Sequence, residues 1–489
     1  MTADLAGRLR AICMALPEVT ERLSHGAPTF FIGKKSFVTL WADGHHAEDF
    51  PHLWCAGLPG AQQELTAAEP GRFFRPPYVG SRGWIGVRLD RDPDWAEIAE
   101  LCQDAYRAIA PARLAALLES DQRADAADAL AARLRRDMVG ALELLTVYLG
   151  ERLGLYRALA AGGPATSTEL ASRTGTVERY VREWLEHHAA SGLLEVDDPA
   201  AGPLARRYRL PPAHAAVLAD PDDIRYQAFN GVEIARAARQ LPDLAEAFRT
   251  GGAPPALPWA PEGRADYNRA VYLNLLGTQW LPGIADVDRR LRGEPPALVA
   301  DLACGPGWSS IAMAQAYPLV SVDGFDLDPD VIEAARRNAA QAGVSGRVTF
   351  AATDAARTEG PGGAGGNGGP GGNGRYDLVT IFEALHDMAR PVDVLRAARD
   401  LLTPSGSVII ADELVADEFT APAPELERYH YGWSVVACLP GAMGDPHTAA
   451  TGAVLRPATL RRYAEQAGFS SAEILPLNTE TWRFYRLAP

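Results

Sequence analysis

Lysine is almost absent from this 489-residue chain: of 47 basic residues only Lys34 and Lys35 are lysines, and 62 acidic residues leave a net charge of −15. Affinity for nucleic acid depends on clustered Lys and Arg that neutralise phosphates, so the acidic balance disfavours that partner. Cysteine is scarce. Cys13, Cys55, Cys102, Cys304 and Cys438 are odd in number, scattered and never in a CxxC spacing, which excludes a disulfide framework or thiolate zinc motif as the expectation. No stretch approaches the roughly 18 consecutive apolar residues of a membrane span. Asp4, Arg8 and Arg10 interrupt the place where a signal peptide needs its apolar core. The expectation is a soluble, cytoplasmic protein with reduced thiols and no membrane contact. No group of acids is spaced for a divalent ion, so a metal-independent chemistry is expected.

With 47% hydrophobic residues and a length of about three domains, each part can bury a core. The most informative stretch is Ala297 to Asp330, ALVADLACGPGWSSIAMAQAYPLVSVDGFDLDPD. Leu298 to Leu302 is a short apolar run bounded by Gly305, Pro306 and Gly307, as suits a buried parallel strand. Asp301 closes it. Small residues at Ala303, Gly305 and Gly307 let backbone approach a ligand, and a helix beginning near Ser309 offers its amides there. Val320 to Asp326 predicts the next strand, and Asp326 follows the glycines at the distance from which an acid reaches ribose hydroxyls. The spacing says ribose and not which cofactor.

At these residues the chain resembles the class I S-adenosylmethionine (SAM) methyltransferases, whose glycine turn follows an acid as DLACGPG does. Ala303 stands where many members have glycine, and Trp308 is bulkier than usual. The resemblance implies a C-terminal α/β Rossmann-like domain over 296–489 with SAM as cofactor. It assigns cofactor contacts to Asp301, Ala303, Gly305, Gly307, Asp326 and the adjoining Leu327, to Asp354 and Ala355 at the adenine, and to Glu383. After strand YDLVTIF comes EALHDMARP, so Glu383, His386 and Asp387 face the crevice at the carboxyl ends of the strands. The LHD tripeptide resembles the LHDW stretch of small-molecule O-methyltransferases, whose histidine is the general base. That implies His386 as base, oriented by Asp412 with Glu413 beside it. The second acid that plant-type enzymes carry ahead of the last helix is missing, since Ala453, Val454 and Leu455 occupy that approach. A base with a pKa near ambient suits the task, because an alcohol or phenol attacks a sulfonium methyl well only after losing its proton.

Upstream, residues 137–220 have the order of a winged helix, with TSTELASRTG, VERYVREWLEHHAASGLLEV and the return strand RYRLPP. This block resembles the dimerisation region of plant-type and bacterial natural-product O-methyltransferases, which implies a homodimer. Its third helix mixes Arg179 and Arg182 with Glu178, Glu183 and Glu186, so pairing of subunits is favoured over DNA binding. His187 and His188 read as a half-buried pair at a helix end. Residues 221–295 read as a helical region in which Tyr267, Asn268, Tyr272, Asn274 and Trp280 either line a pocket or form core. The Ala-rich run from Leu118 to Leu134 reads as a connecting helix, which makes 120–136 the linker between domains. Separate helices follow over Met138 to Leu149 and Arg152 to Ala160. The run EGPGGAGGNGGPGGNG, 359–374, is a low-complexity surface insertion. The end of the chain, SSAEILPLNTETWRFYRLAP, reads as a terminal hairpin.

Residues 1–119 carry SHGAPTFFIGKKSF, FFRPPYVGSRGWIGVRLD and DWAEIAELCQDAYRAIAP, which resemble the MmcQ/YjbR-like family of small α+β domains. Such domains are often described as DNA-binding. Here 12 Lys and Arg stand against 15 Asp and Glu, a net of −3, where a duplex binder shows a basic footprint. Arg72, Arg75, Arg82 and Arg88, interleaved with Phe73, Phe74, Tyr78 and Trp84, make either a stacking surface or a core with a solvated rim.

The combined expectation is a multidomain chain: an N-terminal α+β domain, an all-α and winged-helix middle, and an α/β methyltransferase domain. It would methylate a hydroxyl of a small natural-product-type acceptor. The alternatives are a DNA-binding regulator that senses SAM, or an N- or C-methyltransferase in which His386 only positions.

Overall fold

The computed structural model describes residues 2–45, 48–255, 264–357 and 374–489. The chain divides into two compact units, Met1–Val139 and Gly140–Pro489. In the first unit, β1 (Val19–Ser24), β2 (Ala27–Ile32), β3 (Lys35–Trp41), β4 (His52–Cys55), β5 (Phe73–Phe74) and β6 (Ile85–Arg88) form an antiparallel sheet, ordered β1-β2-β3-β4-β6-β5. The hairpin expected at Gly33 forms between β2 and β3, with Ile32 opposite Lys35 and Gly33 at φ +60°, the left-handed conformation that tight hairpin turns require.

Helices α1 (Thr2–Met14), α2 (Ala61–Ala68) and α3 (Trp95–Ile109) complete this α+β unit. Leu9 and Cys13 of α1 and Ile98, Cys102 and Tyr106 of α3 share one core with the strands. Of the arginine–aromatic series, Phe73 is core, Phe74 and Trp84 are half-buried, Arg72 pairs with Glu69 and Glu97, Arg88 pairs with Asp90, and Arg75, Tyr78 and Arg82 are exposed. The rim reading therefore describes these residues better than a stacking surface.

Helix α4 is one element, Ala112–Arg152, where the sequence predicted separate helices. Between Pro111 and Gly154 the weak points are Gly140 and Gly150, and an interior glycine costs only about 1 kcal/mol relative to alanine. The winged helix follows: α5 (Leu155–Gly162), α6 (Ser167–Thr174), α7 (Glu178–Ala190), then β7 (Glu195–Val196) paired antiparallel with β8 (Tyr208–Arg209). A capping box at Thr166 and Glu169 starts α6, satisfying two backbone donors that a helix end leaves open.

His188 is fully buried rather than half-buried. Its Nδ1 donates to the Trp184 carbonyl at 2.9 Å, so its Nε2 accepts from the Tyr156 hydroxyl at 2.7 Å. On α7, Arg179 pairs with Glu183 and Arg182 with Glu178, which engages the arginines that a groove-reading helix would extend to phosphates.

Helices α8 (Pro212–Leu218), α9 (Phe229–Thr250) and α10 (Arg264–Val271), a π-helical stretch Tyr272–Trp280 and α11 (Ala285–Arg292) lead to the largest sheet. Its strands are β9 (Leu298–Leu302), β10 (Ser321–Asp326), β11 (Val348–Ala352), β12 (Tyr376–Phe382), β13 (Leu402–Glu413), β14 (Ser471–Ile474) and β15 (Trp482–Ala488). They lie in the order β11-β10-β9-β12-β13-β15-β14, parallel from β11 to β13, with the terminal β14–β15 hairpin antiparallel.

Helices α12 (Trp308–Ala316) and α13 (Pro329–Gln341) bury Ile311, Met313 and Ile332 on one face. On the other, α14 (Pro391–Leu401) buries Val394 and Leu395. Helices α15 (Glu425–Trp433) and α16 (Leu439–Ala442) follow β13, and α17 (Pro457–Gln466) joins the α14 face. Strand order reverses at β9, which has β10 on one side and β12 on the other. In open α/β sheets that switch point opens a crevice at the carboxyl ends of the strands.

The glycine-rich run 359–374 lies outside the described residues except for Gly374, as do residues 256–263 of the proline-rich loop. Among the described residues no helix is long and apolar enough to cross a membrane.

Candidate active site

The crevice at the ends of β9 and β12 is a cleft lined by Asp301, Ala303, Cys304, Gly305, Trp308, Glu383, Asn268 and Tyr272. Its floor is the turn after β9. Gly305 takes φ +55°, and a Cβ there would meet nothing, so its bare face opens onto the cleft. Gly307 serves packing instead: at φ +82° it presses on Phe350, whose ring would lie 2.5 Å from an added Cβ. Ala303 also takes a left-handed backbone, φ +56°, which explains why glycine suits this place in the motif it resembles.

Asp301 is buried at 1% exposure, and its carboxylate accepts from Ser309 and Ser310 at 2.6 Å and Thr380 at 2.7 Å. Burial pushes its pKa up against these three hydroxyls. Its oxygens thus tie α12 and β12 to β9. Asp326 accepts from the Gly305 amide at 2.9 Å through one oxygen and from the Asp328 amide at 3.1 Å through the other. Burial raises this carboxyl too. A carboxylate oxygen has two acceptor sites, so each keeps one for a diol. Leu327, beside it, is 74% exposed. Asp354 caps the 3₁₀ turn Ala355–Arg357 by accepting from the Ala356 amide and pairs with Arg390, while Ala355 packs against the apolar layer under β10 and β12.

Glu383 is the second non-glycine residue of the cleft with a left-handed backbone, φ +53°, and accepts from the Asn268 amide at 2.6 Å. Tyr272 packs at a tilt between Phe382 and Trp482, whereas Trp280 packs on Trp482 and Phe484 as core. Asn274 donates to backbone carbonyls of Asp222 and Ala270. The Tyr267 side chain lies outside the described residues.

Three residues past Glu383, the 3₁₀ turn Leu385–Asp387 holds His386 with no exposed surface. Its Nδ1 bonds Asp412 Oδ1 at 2.9 Å, and its Nε2 lies 3.2 Å from Asp387 Oδ1. Burial would push the imidazole pKa down. The carboxylates of Asp387 and Asp412 outweigh that and hold it well above the usual histidine range, so the imidazolium formed on taking a proton is stabilised. Asp412 also accepts from the backbone amides of His386 and Glu413, which fixes the carboxylate. Glu413, in contrast, turns to His430 of α15 at 3.5 Å. The sequence offered no signal for His430, or for Asp387 as the second carboxylate beside the base.

Residues 297–461 match a family model described as a methyltransferase domain. The C-terminal part of this chain is a methyltransferase domain. Residues 14–108 match the YjbR model and 140–220 the Rv2258c-like winged HTH domain, so the chain carries a YjbR domain, a winged helix and this methyltransferase domain in series. Among curated relatives, the trans-aconitate 2-methyltransferase of Streptomyces avermitilis is 32% identical over 133 residues, covering 27% of this chain and 44% of the relative. The enzyme of that name from Methylobacterium radiotolerans is 29% identical over 222 residues, 45% of this chain and 72% of the relative. A ubiquinone biosynthesis O-methyltransferase from Bordetella avium is 29% identical over 153 residues, 31% and 54% of the two chains. The chain thus spans less than half of the first of these relatives.

Solved structures share the fold, among them these two. PigF with SAH superposes with a TM-score of 0.55 at 19% identity, covering 73% of this chain and 98% of its own. Human N-acetylserotonin methyltransferase in complex with SAM gives 0.50 at 19%, covering 73% and 97%. The domain therefore has the α/β Rossmann-like fold, with its terminal antiparallel hairpin, that the resemblance implied.

Proposed function

We propose that this chain is a SAM-dependent methyltransferase that methylates a hydroxyl of a small metabolite, with His386 as general base. The observation that carries the reading is one cleft edge. The glycine turn and Asp326 can hold a nucleoside at the end of β9, and a buried imidazole backed by Asp412 sits at the end of the neighbouring β12. SAM supplies an electrophilic methyl on sulfonium. Asp326 would accept from its ribose hydroxyls, the Gly305 face would let the backbone lie against it, and Asp354 and Ala355 would meet the adenine. Glu383, Asn268 and Tyr272 fit its polar end. His386 Nε2 takes the proton of the acceptor hydroxyl, and Asp412 on Nδ1 fixes the tautomer and balances the charge. No metal is needed for these steps.

The winged helix suits a homodimer, because Leu142, Leu145, Leu149 and Leu153 are all exposed on its leading helix and turn. Sedimentation of the intact chain tests this, with dissociation to monomers expected for Leu142→Asp with Leu149→Asp. A cytoplasmic location accords with five free cysteines, all buried.

Calorimetric titration with SAM and S-adenosylhomocysteine tests the cofactor. Wild type should bind one equivalent per chain, and Asp326→Ala should weaken binding at least tenfold. A folded wild type that binds neither would overturn the methyltransferase reading.

A further inference from the structure

On the base side of the cleft, His386 and Asp387 lie beside Cys438, a thiol that methyl transfer does not use. Among the described residues, His386 Nε2, an Asp387 carboxylate oxygen and Cys438 Sγ lie within 4.8 Å of one another. Cys438 ends the π-helical stretch Ser434–Cys438, and α16, which follows it, packs on the 3₁₀ turn that carries His386 and Asp387. Fold geometry therefore brings the three together from two separate segments.

His386 is fully buried, and its Nε2 has no hydrogen-bond partner, although Asp387 Oδ1 is 3.2 Å away. Its Nδ1 is held by Asp412 at 2.9 Å, the second contact that typically orients a histidine toward a metal. One imidazole, one thiolate and one carboxylate make a mixed N, S and O donor set, which suits a borderline-soft, tetrahedral ion of the zinc class. Bonds of about 2.0–2.3 Å place tetrahedral ligands roughly 3.5 Å apart, so closure takes about 1 Å of side-chain movement.

We propose that His386, Asp387 and Cys438 form a site for a thiophilic divalent cation whose occupancy blocks the general base. The ion takes the Nε2 lone pair that would otherwise receive the acceptor proton, so metal binding and turnover exclude each other. A fourth position stays open on the side of Asp387, whose carboxylate side chain is 46% exposed. The metal site stands on the side chains alone, and only the inhibition rests on the methyltransferase reading.

The test is titration of the chelator-treated, full-length chain with Co²⁺, followed by displacement with Zn²⁺. One Co²⁺ per chain is expected, with a sulfur-to-cobalt charge-transfer band that Zn²⁺ abolishes. Cys438→Ser should remove the band, and Asp387→Asn should weaken Co²⁺ at least tenfold, while S-adenosylhomocysteine affinity stays within twofold in both. No band in a wild type that binds S-adenosylhomocysteine would overturn the proposal. So would a band that persists in Cys438→Ser, because one of the other four cysteines would then be the ligand.

Discussion

His188 in the winged helix and His386 beside the cleft are both fully buried imidazoles, and their surroundings act on them in opposite directions. His188 has a partner on each nitrogen, no carboxylate against it, and a pKa pushed down to about 4 by burial. His386 has one nitrogen held by Asp412, the other aimed at Asp387 without a hydrogen bond, and a pKa held up. The backbones differ likewise. Every left-handed residue of the winged helix is glycine, at Gly154, Gly163, Gly175 and Gly192, whereas Ala303 and Glu383 at the cleft take that conformation with side chains. The first histidine is satisfied on both nitrogens in a region whose left-handed turns are glycine; the second sits between two carboxylates in a region that retains backbone strain, as functional sites commonly do.

Breaking the cleft histidine should give the largest effect. His386→Gln keeps much of the volume but removes the base, and the rate of methyl transfer should fall roughly 10²–10⁴-fold, the usual range for general acid–base catalysis. S-adenosylhomocysteine affinity, measured by calorimetry, should stay close to wild type. A variant with unaltered rate would reduce His386 to a positioning role and favour the N- or C-methylation alternative. Asp412→Asn leaves the imidazole in place but removes the charge that stabilises imidazolium, so a loss on the order of 10²-fold is expected. Product formation under single-turnover conditions separates this chemical defect from slow release.

The winged-helix histidine should show itself in stability and not in rate. Its folded pKa of about 4 lies below the ordinary value of 6.5, so the folded state binds fewer protons than the unfolded one. The stabilisation is complete above pH 6.5, is lost as pH falls toward 4, and changes no further below that. The span corresponds to about 3 kcal/mol. His188→Gln should therefore be less stable than wild type at pH 7, and the gap should close by 2–3 kcal/mol () at pH 4. Denaturant unfolding at the two pH values measures it. A pH-independent gap would mean that the Tyr156 hydrogen bond, and not proton exclusion, sets the role of His188.

How much of this was legible depended on distance along the chain. The turn from Asp301 to Gly307 was readable because its glycines, its strand and Asp326 lie within one βαβ unit, where spacing alone fixes geometry. His386 and Asp412 were reached through the likeness of LHD and of the strand-end acid to known O-methyltransferases. Cys438 near His386 and the turn of Glu413 toward His430 depend on how α15 and the segment after it pack against the His386 turn and the end of β13. No local period encodes that packing. The continuous α4 was missed for a different reason: patterning suggested separate helices, but no residue between Pro111 and Gly154 was a strong enough breaker.

The two left-handed residues with side chains at the cleft, Ala303 and Glu383, offer the smallest and sharpest test of the contrast. Alanine in the left-handed region costs roughly 1–2 kcal/mol, and glycine returns part of that gain through its greater unfolded-state freedom. Ala303→Gly should thus stabilise the folded chain by only about 0.5–1 kcal/mol, a small rise in melting temperature. The Ala303 methyl lines the cleft, so its removal also widens the cofactor floor. If the methyl shapes the cofactor site, S-adenosylhomocysteine affinity will change while stability rises, and strain at Ala303 is retained for binding. If affinity is unchanged, the strain has no function at the floor. Glu383 is then the informative position, because its left-handed backbone carries the carboxylate that accepts from Asn268, and Glu383→Gly would relieve strain only by deleting that contact.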